Sequence, residues 1–110
     1  MEAVIAHEMG HVIADSGRTS RGTRLSVPTS RAMVHKHVRD FRNEVGRTAV
    51  IKELSSYAWY GGGANPSEAS ESALNETWAH AFSAYHVDRN SLSPRTRLLV
   101  ETVLRDLGMR

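Results

Sequence analysis

The stretch MEAVIAHEMGHVIAD, residues 1–15, decides how the rest of the chain is read. As one α-helix it sets His7 and His11 four residues apart. At about 3.6 residues per turn both imidazoles then lie on one face, where a single metal ion can touch both. Glu8 follows the first histidine by one position and points about a quarter-turn away. It does not easily enter the same ligand shell, yet it can reach a water beside the ion, which is the place of a general base. Val4, Ile5, Met9, Val12 and Ile13 surround this polar trio, and Gly10 lets another backbone or a substrate approach closely. Such apolar bracketing suits a buried helix whose polar groups are engaged, because each buried unpaired polar group costs about 1–3 kcal/mol.

At 110 residues and 40% apolar content the chain has the size of one small domain with a single core. It contains no cysteine, so disulfides and thiolate metal sites are excluded and any zinc must be held by histidine and carboxylate. No stretch approaches 18 consecutive apolar residues, and residues 1–20 lack the basic start, apolar run and cleavage site of a signal peptide. The expectation is a soluble chain with no membrane span and no address of its own, its compartment left open. The net charge of +2 is unevenly spread. Arg18, Arg21, Arg24, Arg31, Lys36, Arg39, Arg42, Arg47 and Lys52 are opposed in that stretch only by Asp40 and Glu44, which leaves the remainder net acidic. With no interleaved aromatics or DNA-binding pattern this block reads as a solvated face, and nucleic acid is not the expected partner.

Four helices are expected. The first should stop near Ser16-Gly17, with Gly17 supplying a left-handed closing residue. After a polar loop over residues 18–28, Thr29 or Ser30 can cap a second helix whose Met33, Val34, Val38, Phe41 and Val45 form one buried stripe. His35 and His37, two apart, point in different directions and read as surface or partly buried side chains, not ligands. Gly46 breaks or bends this helix, and Val50, Ile51 and Leu54 suggest a further short turn. Tyr57-Ala58-Trp59-Tyr60-Gly61-Gly62-Gly63-Ala64-Asn65-Pro66 is the strongest loop signal, and its aromatics either pack together or line a cleft beside the metal. Ser67, Ser70 or Ser72 then caps a third helix running to about His86, with Ala73, Leu74, Trp78, Ala81, Phe82 and Tyr85 as its core stripe. Ser93-Pro94 opens the fourth, whose stripe is Leu98, Leu99, Val103, Leu104 and Leu107 and whose closing residue is Gly108.

A zinc site needs a third protein ligand and an open position for water, and Glu76 puts a carboxylate on a helix that otherwise shows a core face. HEMGHVIAD at 7–15, SSY at 55–57 and NETWAHAFSAY at 75–85, in that order, resemble the gluzincin zinc metallopeptidases. The likeness is greatest to the lethal-factor-type branch found in bacterial toxins and phage-associated proteins, and it spans about residues 4–85. It implies that His7, His11 and Glu76 ligate one Zn2+ ion, that Glu8 is base and proton shuttle, and that Tyr57 donates a hydrogen bond to the oxyanion.

The chain departs from the family pattern in two places. Four positions after the ligand glutamate the family carries an acidic residue that orients a ligand histidine, and here stands His80, with Asp15 a partial substitute elsewhere. The family also places a small sheet before the first helix, whose edge strand aligns the substrate. The expected architecture is therefore a mainly α, four-helix zincin-like C-terminal core, one domain over residues 1–110, with the upstream β-sheet missing or minimal and the N-terminal side cut short. The expected activity is zinc-dependent hydrolysis of peptide bonds in a protein or peptide substrate. The alternative is a catalytically weak zinc-binding structural or interaction module of a virion or toxin. Uncovered Val4, Ile5 and Val12 would in either case favour a second copy or a larger assembly on the first helix.

Overall fold

A computed structural model of the chain describes residues 2–19, 21–61 and 70–109. Six α-helices follow one another: α1 (Glu2–Ala14), α2 (Val27–Val45), α3 (Arg47–Glu53), α4 (Ser56–Tyr60), α5 (Glu71–Asp88) and α6 (Pro94–Asp106), with a 3-10 turn (Arg89–Ser91) before the last. The mainly α class is as expected, but the described residues form six helices. The four expected helices are the long ones, α3 carries the short turn expected around Val50 and Ile51, and α4 is an addition. Among the described residues there is no strand, only a lone antiparallel bridge between Arg18 and Arg24. No described helix is long and apolar enough to cross a membrane.

Local chemistry explains most boundaries. Ser26, not Thr29 or Ser30, caps α2: its hydroxyl accepts the Thr29 N–H at 3.3 Å, and Pro28 sits in the first turn where its missing N–H costs nothing. Gly46 ends α2 at φ 85°, a conformation other residues resist. Gly17 is not left-handed as expected. It is buried because a Cβ there would lie 2.8 Å from both Leu107 and Ser30, so the site demands smallness. Ser70 caps α5 and Ser93 caps α6 through the N–H groups of Ala73 and Thr96. Tyr57 to Tyr60, expected in a loop, belong to α4, which Ser55 caps and Gly61 closes. Residues 62–66 of that expected loop, and the cap candidate Ser67, lie outside the described residues.

The core joins Val34, Val38 and Phe41 of α2 to Leu74, Trp78, Ala81 and Phe82 of α5, with Leu99, Val100, Val103 and Leu107 from the α6 segment. Leu98, expected in the α6 stripe, is half exposed. The helix turns Leu99, Val103 and Leu107 inward, and Thr96 and Val100 fill the neighbouring inward positions. Four consecutive residues of α5 then bond outward to different parts of the fold. Asn75 meets buried His35 of α2, and Glu76 meets His7 of α1. Thr77 donates to the Ala58 carbonyl of α4 and accepts from Arg42 of α2, and Trp78 Nε1 donates to the Gly10 carbonyl of α1 at 2.8 Å. Helix α5 is therefore the hub. Arg42, expected on a solvated face, is buried over the Trp59 ring at 3.8 Å and also donates to the Trp59 carbonyl at 2.8 Å. That arrangement satisfies a cation at the end of α4, where unpaired carbonyls favour positive charge.

Two expectations follow for stability. Trp78→Phe leaves the buried Gly10 carbonyl without its indole donor and opens a small void. Urea denaturation should show a loss of about 1–3 kcal/mol, and an unchanged midpoint would remove this bond from the account of the fold. The second concerns Asp106, which accepts from His37 at 2.7 Å and ties α6 to α2. Burial pushes its carboxyl up, but hydrogen bonds from His37 and Arg105 outweigh that and leave it below the ordinary aspartate range. A depressed carboxyl stabilises the fold above its unfolded pKa of about 4 and loses that effect as pH falls through the folded value. The advantage of the parent chain over Asp106→Asn should accordingly be full near neutral pH and shrink below pH of about 4 in a series of denaturation curves.

Candidate metal centre

Two rows of side chains meet where α1 crosses α5. On α1, Ala6, Gly10 and Ala14 recur every four residues and are buried, and His7 and His11 occupy the next positions round the helix. Gly10 lies so close to α5 that a Cβ there would stand 3.1 Å from the Ala79 Cα. The missing side chain lets the two backbones approach until the imidazoles of α1 reach the carboxylate of α5. His7 Nε2 lies 2.9 Å from Glu76 Oε2, and His11 Nε2 lies 3.2 Å from Glu76 Oε1. The three residues expected as ligands are thus brought together, although 69 positions separate His7 from Glu76.

His80, one turn along α5, completes the cluster with its Nε2 3.7 Å from Glu76 Oε2. One donor atom from each of His7, Glu76 and His80 lies within 4.8 Å of the others, a spacing from which modest side-chain shifts can grip one ion. Nitrogen and carboxylate oxygen in this proportion are the donors zinc takes in the absence of cysteine. The Glu76 side chain is only 12% exposed, so an ionised carboxylate there needs cationic or hydrogen-bonding neighbours, and the imidazoles are those on hand. Burial, with His7 and His11 adding to it, pushes the His80 imidazole below its ordinary range despite the pull of Glu76. Its neutral form, the one with a lone pair to donate, is favoured.

Glu8, the expected base, points out of the cluster. Its side chain is 73% exposed, and Oε1 stands 3.6 Å from Nδ1 of His7. It can therefore exchange protons with solvent while remaining next to His7. Tyr57 stands at the rim, half exposed, with its ring centroid 5.7 Å from that of His80. Beyond His80 opens a cleft of about 250 Å³ lined by Glu53, Leu54, Ser83, Ala84 and Val87. Another cleft, of about 360 Å³, has Phe41, Val45 and Ala49 in its wall and none of the site residues, so volume alone does not mark the chemistry.

Other titratable groups lie elsewhere. Asp15 holds Arg31 through both carboxylate oxygens, at 2.6 and 3.0 Å, and does not serve as the outer partner of a ligand histidine. His35 is buried against Asn75, deeper than expected, and His37 pairs with Asp106; neither belongs to the cluster. Sequence reasoning placed His80 in the outer shell and held it as the first replacement for Glu76 as a ligand; the structure sets it beside Glu76 in the cluster itself. The signal was present in the spacing, since residues 76 and 80 share one helix face. Comparisons with family models, with curated proteins and with solved structures return no match for this chain.

Proposed function

We propose that the chain is a zinc-dependent peptide hydrolase of gluzincin type. One observation carries this reading: the carboxylate of Glu76 lies between the two histidines of the HEMGH helix, at 2.9 and 3.2 Å. His7 and Glu76 belong to the group of donors that could hold one ion, and His11 reaches the other oxygen of Glu76 at 3.2 Å; a zinc ion held there would supply Lewis-acid polarisation of the scissile carbonyl and acidify the attacking water. Glu8 takes the proton from that water and hands it to the departing amine. Its exposed carboxylate, 3.6 Å from Nδ1 of His7, has room to turn towards that water for both transfers. The phenolic O–H of Tyr57, at the rim beside His80, donates to the oxygen on which negative charge develops. The seam between α1 and α5 keeps the two histidines and Glu76 in register, so little of the substrate's binding energy goes to assembling them.

The ligand assignment predicts one zinc ion per chain and a large loss of affinity in each of His7→Ala, His11→Ala and Glu76→Ala, read by a competitive chelator titration. Tight zinc retained by Glu76→Ala would sink the assignment. The mechanism predicts that Glu8→Gln keeps the ion but abolishes cleavage of a quenched fluorescent peptide library, since the amide preserves shape without accepting a proton. Tyr57→Phe should lower turnover by about ten- to a thousand-fold at near-normal zinc content. A silent Tyr57→Phe alongside a damaging Tyr60→Phe would transfer the donor role to Tyr60.

A further inference from the structure

We propose that His80 is a fourth protein ligand, so that the ion rests in a closed shell of three imidazoles and one carboxylate; the inference builds on the metal-centre reading above. Three features of the cluster support it. First, the 3.7 Å between His80 Nε2 and Glu76 Oε2 is too long for the hydrogen bond an outer orienting partner would make. It is close to the roughly 3.3–3.4 Å that separates neighbouring ligand atoms around a tetrahedral ion bound at about 2.0–2.1 Å. Second, the imidazoles do not stack. His7 meets His11 at an interplanar angle of 87° and His80 at 78°, with ring centroids 4.8 and 4.9 Å away. That edge-to-face packing sets His11 and His80 against the ring of His7 without stacking, and an Nε2 of each of the three rings lies within 3.7 Å of a Glu76 oxygen. Third, His80 shares the inward face of α5 with Glu76, so one helix supplies two donors at i and i+4, as α1 does with His7 and His11.

Two such pairs from crossing helices make four donors, the number that closes a structural zinc site, whereas a catalytic one keeps a position for water. His80 has somewhere to go. Its side chain is 27% exposed and borders the cleft walled by Leu54, Ser83, Ala84 and Val87. Rotation of the ring into that cleft would free the fourth position for water, which makes His80 a gate on the site: closed at rest and opened by whatever substrate or partner fills or reshapes the cleft.

Cobalt(II) titration of the full chain, followed by its visible spectrum, tests the proposal. The parent chain should show intense tetrahedral bands that added azide leaves unchanged. His80→Ala should bind cobalt more than about 100-fold more weakly, beyond the 10- to 100-fold typical of losing an outer partner. Its spectrum should shift with azide and return towards the parent's on adding imidazole, and His80→Gln should behave like it without the rescue. Far-UV circular dichroism on the same samples establishes that each variant is folded. Parent-like affinity and spectrum in both His80 variants would overturn the fourth ligand while leaving the metal centre standing, as would a parent chain whose bands shift with azide as readily as those of His80→Ala. A parent chain that takes up no cobalt would overturn both.

Discussion

The bond from the Trp78 indole to the Gly10 carbonyl fixes how α1 lies on α5, and the candidate site inherits its geometry from that crossing. Trp78 is wholly buried, so its N–H has no water to fall back on, and the Gly10 carbonyl is its answer. Glycine at position 10 brings that carbonyl within reach, because any side chain there meets the backbone of Ala79 or the ring of Phe82. A displacement of one helix along the other would break the indole bond and bury a side chain against backbone. The same displacement would carry His7 and His11 away from Glu76, so packing and chemistry share one constraint.

The electrostatics of the hub run in the same direction. Residues 75–77 each face a different polar problem, and each is solved by another helix. Buried His35 takes up Asn75, the α1 imidazoles take up Glu76, and Arg42 with the α4 carbonyls takes up Thr77. Interiors tolerate such groups when every donor and acceptor is matched, and a fully matched set restricts the chain to one arrangement. Tyr57 is placed indirectly by this means: Arg42 and Thr77 hold the final carbonyls of the short helix that bears it.

Much of this was legible in the sequence where a period carries the information. Four-residue spacing marked His7 with His11, three-and-four spacing marked the cores of α2 and α5, and serine caps marked the starts of α5 and α6. The failures have a common cause. Arg42 counts as an exposed cation by residue type, and only the Trp59 ring and the α4 carbonyls bring it inside. Helix α4, with five residues, is too short to hold itself together or to leave a periodic trace, and Ser55, Thr77 and Arg42 supply what it lacks. Leu98 was assigned inward from hydrophobicity alone, although the phase set by Leu99, Val103 and Leu107 turns it to solvent. His35 gave no local sign of burial because its partner, Asn75, lies 40 positions away.

None of the four cluster residues belongs to the hydrophobic core, which is built mostly from α2, α5 and α6, takes in Val50 of α3 and Ala58 of α4, and reaches α1 through Ala14 and partly buried Ile13. Capture of an ion by that cluster would therefore be separable from chain folding, unlike in the small domains that collapse only around their ion. A chelator would strip such a protein without melting it, leaving a folded apoprotein with its donors already gathered. Occupancy would then follow the free-metal level of the surroundings and report on it, while the helices stay in place.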